Sequence, residues 1–85
     1  MKLIKQAIFI LRDQVSFAEK NVRYSKQLLE AEKLKFDSGE SSLFLLNTRE
    51  NKWLESELKL AEYRTKFIKT VFELVYVKGS INYKL

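Results

Sequence analysis

Proline, cysteine and histidine are absent from the 85 residues, and glycine occurs only twice, at Gly39 and Gly79. Without proline nothing inside the chain forces a kink or a break, so long uninterrupted helices are permitted and strand-rich folds are disfavoured. Without cysteine there is no disulfide framework and no thiolate site for zinc or iron–sulfur, and the redox compartment is left open. Without histidine the commonest general base and the commonest transition-metal ligand are both missing, which removes a required part from most hydrolase, oxidoreductase and di-iron schemes. The chain is therefore not expected to be an enzyme, and neither a cofactor nor a metal is expected.

Long hydrophobic runs are missing too. No stretch of about 20 apolar residues is present, so no helix of this sequence is expected to span a bilayer. The opening Met1 to Lys5 and the apolar Ala7 to Leu11 have the outline of a secretory leader, but Arg12 and Asp13 end that run early. It reads better as the buried start of a helix.

What is present is charge and helical periodicity. The net charge is +5 at pH 7. The sign alternates along the second half through Lys52, Glu55, Lys59, Glu62 and Lys66, a pattern that supports a solvated helix face rather than a phosphate-binding stripe. No nucleic acid is expected as partner. From Ile4 the positions Ile8, Leu11, Val15, Ala18, Val22 and Leu29 recur at steps of four and three, with Ser25 filling the gap. One column of sevens, Leu3, Ile10, Phe17, Tyr24 and Ala31, widens the apolar face. The second half repeats this arrangement. Leu54, Leu58, Ala61, Thr65, Ile68, Phe72 and Val75 step by four and three beside a column formed by Leu46, Trp53, Leu60, Phe67 and Leu74. Faces this wide require more than one helical neighbour.

The internal turn signal is Phe36-Asp37-Ser38-Gly39-Glu40-Ser41-Ser42. Gly39 is suited to the left-handed conformation that closes a helix, and Ser41 or Ser42 to capping the next one. The expected fold is all-α: an antiparallel coiled-coil hairpin over 1–79, with helices about 3–37 and 42–78, a turn at 38–41, a stop at Gly79 and a tail over 80–85. Such a hairpin is expected to associate into a larger helical bundle or barrel. Trp53, Tyr24, Tyr63 and Phe67 fall on or beside the apolar columns and read as packing residues. Glu30, Glu32, Glu50 and Glu57 lack a convergent third ligand and read as neither a metal nor a proton-transfer site.

Four consecutive apolar residues, Leu43 to Leu46, follow the turn and cover all sides of the next helix's first turn. Some must stay exposed on an isolated hairpin, which marks a contact surface. With Phe36, Gly39, Ser42, Leu46 and Arg49, this stretch resembles the periplasmic tip of the TolC-like outer membrane efflux proteins, in the last coiled-coil hairpin before their C-terminus. The likeness runs from about Leu11 to Gly79, closing on Val77-Lys78-Gly79. Lys52 and Glu57 depart from it, standing where many members carry apolar or small residues. The family's membrane β-barrel has no counterpart here, so the resemblance implies a fragment of a longer protein.

It also implies a place in the cell envelope: the periplasmic portion of an outer membrane protein, anchored through parts of the parent beyond this chain. There, hairpins of a trimer build an α-helical tunnel, and their tips meet a periplasmic adaptor. By that resemblance Ser38, Gly39, Glu40 and Ser41 are expected to contact the adaptor, with Leu43 packing beneath them. The alternative is a stand-alone helical hairpin that dimerises into a four-helix bundle as an interaction module or scaffold. Either way self-association is expected, as a trimer in the parent and as a dimer or larger form of the isolated piece.

Overall fold

The computed structural model describes the backbone of residues 2–84 and the side chains of residues 6–76. It has two elements, α1 (Lys2–Asp37) and α2 (Leu43–Lys84), folded back on one another. Among the described residues there is no strand. The hairpin is a rod 70 × 16 × 13 Å. This is the antiparallel all-α hairpin that the heptads and the single turn called for.

One boundary differs. The stop expected at Gly79 does not occur, and α2 continues through it to Lys84, including most of the stretch expected to be a tail. A lone glycine inside a helix costs only about 1 kcal/mol, and no proline follows to remove a backbone donor. At Gly39 the outcome is the opposite because the backbone there reverses, with φ at 79°.

The side of each helix that faces its partner is a seam of alternating steps. On α1 it runs through Ile8, Leu11, Val15, Ala18, Val22, Ser25, Leu29 and Glu32, with Ala18 and Leu29 the best-buried apolar members. On α2 it runs through Leu46, Arg49, Trp53, Ser56, Leu60, Tyr63, Phe67, Thr70 and Leu74, with Leu60 the best buried. Glu32 and Arg49 pair across the interface and set the level of one helix against the other. Followed away from the turn, that level brings Leu29 opposite Trp53, Ser25 opposite Ser56, Ala18 opposite Tyr63 and Val15 opposite Phe67. Ala18 and Val15 thus lie level with the larger Tyr63 and Phe67, while the two serines share a thin layer, which is how side-chain size is balanced between two closely packed helices.

Candidate interaction surfaces

The turn is closed by backbone bonds that follow from its sequence. Gly39 N–H donates to Phe36 O over 3.1 Å and Glu40 N–H to Lys35 O over 2.7 Å, the paired bonds of a glycine-closed helix end. Ser38 donates its N–H to Leu34 O, and its hydroxyl lies 3.1 Å from both Leu34 O and Lys35 O. Ser42 caps α2: its hydroxyl accepts from Leu45 N–H at 3.2 Å, and its carbonyl accepts from Leu46 N–H. Of the two serines able to cap, Ser42 does so. Ser42→Ala should cost about 1 kcal/mol of hairpin stability in urea unfolding, with an unchanged denaturant slope.

A Cβ on Gly39 would meet nothing within 4 Å, so the positive φ is the whole structural reason for glycine there. Gly39→Ala should therefore destabilise the hairpin by about 1–2 kcal/mol through backbone strain, and Gly39→Asn by less. Thermal unfolding followed by circular dichroism measures both.

Ser41 has another job than capping. Its hydroxyl is turned inward and buried near the Glu32 carboxylate, at more than hydrogen-bonding distance from any partner. Arg49 Nε lies 3.5 Å from Glu32 Oε1. The Ser41 hydroxyl and then the Arg49 guanidinium hold the Glu32 carboxyl below its ordinary value, against the opposing effect of burial. This cluster joins α1 to α2 just behind the turn. Continuing the α1 steps from Leu29 leads to position 32, and a step of three from Leu46 leads to Arg49, so heptad counting contains the pair, whereas the acids taken by themselves show only that no third ligand converges on Glu32.

Of the expected tip contacts, Ser38, Gly39 and Glu40 are exposed at the bend, whereas Ser41 is half-buried. Leu43 does not pack beneath them. It is 59 % exposed, and its neighbour Phe44 is 77 % exposed, because the first turn of α2 has only α1 to lean on and Leu46 takes that place. With Leu34, also exposed, they give the tip end an apolar surface.

Two further apolar surfaces run along the rod. On α1, Ile10, Phe17 and Tyr24 are uncovered. On α2, Leu54, Leu58, Ile68, Phe72 and Val75 are uncovered, together with Ala61 and Thr65. The four-and-three seam of α2 therefore faces outward and its column of sevens faces α1.

These two surfaces lie on opposite sides of the hairpin. Phe17 shares a groove with Lys52, Ser56, Lys59 and Tyr63 of α2. A helix turns about 100° per residue, so Leu54 and Ala61, each two residues beyond Lys52 and Lys59, project from roughly the opposite side of α2. One partner helix cannot cover both. Among the described residues no group of three or more acidic, cysteine or histidine side chains could hold a metal ion, and no helix is long and apolar enough to cross a membrane. No protein-family model, curated protein or solved structure matches this chain.

Proposed function

We propose that the chain works by lateral helix packing, as a wall segment of a TolC-like periplasmic tunnel whose tip meets an adaptor protein. The observation that carries this reading is the pair of uncovered apolar edges on opposite sides of a 70 Å rod. A helix in a curved wall needs its own hairpin partner on one side and a foreign helix on the other, and both helices here are apolar in that way. The resemblance around Gly39 adds the direction: the bend points toward the adaptor. Outer membrane attachment, periplasmic location and trimeric state belong to the parent that this reading implies.

The bend is the place to test it. Gly39→Asn keeps a residue that tolerates the left-handed backbone but adds bulk at the exposed bend. In a full-length parent carrying this hairpin, that variant should still form the trimer yet lose efflux, and Glu40→Lys should weaken adaptor binding in a salt-dependent way. Normal export and normal adaptor binding by both variants would reduce the bend to a turn and remove the docking role.

The stand-alone module remains the second reading, favoured by one feature: the outward seam of α2 is complementary to itself.

A further inference from the structure

We propose that the outward seam of α2 binds a second copy of this chain, α2 against α2 in antiparallel register, with the two tips at opposite ends. This goes beyond the tunnel reading, since it names what covers that edge when the chain stands by itself. The seam is a complete series of coiled-coil steps, Leu58, Ala61, Thr65, Ile68, Phe72 and Val75, all uncovered or facing solvent. The uncovered face of α1 is different: polar Asp13, Gln14, Lys20 and Asn21 separate Ile10, Phe17 and Tyr24. A seam pairs best with a seam, and of the two faces only that of α2 offers one.

The pairing has one favoured register. With Thr65 opposite Ile68 of the second copy, Ala61 falls opposite Phe72 and Leu58 opposite Val75, and the dyad repeats each pair. Every layer then joins a smaller side chain to a larger one. The open face along Thr65, Ile68, Lys69 and Phe72 is mostly apolar and meets the second copy's side chains. At the rim, Glu62 comes beside Lys69 of the other copy, twice by symmetry. Sliding one heptad in one direction sets Glu62 against its own counterpart and Thr65 against Ala61; sliding in the other sets Lys69 against its own counterpart. Both slips bring like charges together; the first also sets Glu55 beside Lys69 of the other copy, but it leaves a gap where Thr65 meets Ala61, so size and charge together select the register.

The resulting arrangement is a layer of four helices in the order α1, α2, α2, α1, with the α1 face carrying Phe17 and Tyr24 still open. It uses the edge that a tunnel neighbour would occupy, so entry into a tunnel exchanges one partner for the other.

The test exploits the charge pattern and the absence of native cysteine. In sedimentation of the 85-residue chain, Glu62→Lys and Lys69→Glu should each weaken self-association about tenfold, and an equimolar mixture of the two should regain parental affinity because only the mixed dimer has opposite charges in register. Phe72→Ser should abolish the dimer while leaving helicity intact, since Phe72 is 72 % exposed in the hairpin. Under oxidation, Thr65→Cys should cross-link to Ile68→Cys in a mixture and not to itself, because two copies of position 65 are offset by about 4.5 Å along the axis. A mixture no tighter than either charge variant, or self-cross-linking of Thr65→Cys, would overturn the antiparallel register. A monomer at about millimolar concentration would overturn the dimer itself. None of these results bears on efflux by the parent, so this inference and the tunnel reading fail separately.

Discussion

Leu60→Ala should lower the stability of the hairpin by about 2 kcal/mol or more, while Leu58→Ala two positions away should change it by less than about 0.5 kcal/mol. The residues are the same type on the same helix, and only the side they face differs. Leu60 is 5 % exposed against α1, whereas Leu58 is 70 % exposed on the outward seam. Removing the buried side chain loses its transfer free energy and opens a void that two thin helices fill only partly, whereas the exposed one loses almost nothing on folding. Urea unfolding at low protein concentration, where single hairpins dominate, measures both. Equal effects, or a larger one at Leu58, would mean that α2 is rotated from the orientation described.

Acid should loosen the turn end of the hairpin through Glu32. Its carboxyl is held below the ordinary value of 4.5 in the folded chain by the Ser41 hydroxyl and then by Arg49. The folded state therefore binds this proton less readily than the unfolded chain. The resulting stabilisation is complete above the ordinary carboxyl range and is lost as pH falls through the lowered folded value. Arg49→Met should destabilise the hairpin at pH 7, because an acid on the seam loses its cation. The double variant Glu32→Leu with Arg49→Leu should recover much of that loss by turning the layer apolar. Glu32→Gln should show a smaller drop in thermal midpoint between pH 7 and pH 3 than the parent chain. Arg49 is partly exposed, its side chain 38 % accessible, so added salt should reduce but not abolish the difference. A parental acid dependence in Glu32→Gln would show that this carboxyl does not contribute.

The helices and the turn were legible because they rest on local chemistry: heptads that need no distant information, and Gly39 set among Ser38, Ser41 and Ser42 between the two heptad series. The orientation of α2 was not. Two apolar series share that helix, and the more regular, Leu54 through Val75, is the one turned away from α1. The inner seam is interrupted by Arg49, Ser56 and Thr70, so it reads as a mere column of sevens until those positions are matched across the hairpin. Arg49 meets Glu32, Ser56 comes level with Ser25, and the large Trp53 and Phe67 fill space beside Leu29 and Val15. Pairing of polar and large residues between distant segments decided the rotation, and periodicity within one helix carries no record of it. The extension of α2 through Gly79 is not written in its neighbourhood for a related reason, since glycine ends a helix only where the backbone must also turn.

At the tip, the sequence placed the bend correctly but not the inward turn of Ser41 or the exposure of Leu43. Both depend on how α2 leans on α1. Four apolar residues in a row declared that some would be uncovered, without saying that Leu46 would be the one to face inward.

The most direct measurement is thiol labelling of single cysteines placed along α2, a scan made possible by the absence of native cysteine. Cysteines at Trp53, Leu60 and Phe67 should react slowly at every protein concentration, because α1 of the same chain covers them. Those at Leu58, Ala61 and Thr65 should react fast in dilute solution and slow as concentration rises, when another chain covers the outward seam. Fast labelling at both sets at every concentration, or concentration-dependent protection at Leu60 instead of Leu58, would contradict the division of α2 into a seam for its own hairpin and a seam for a partner.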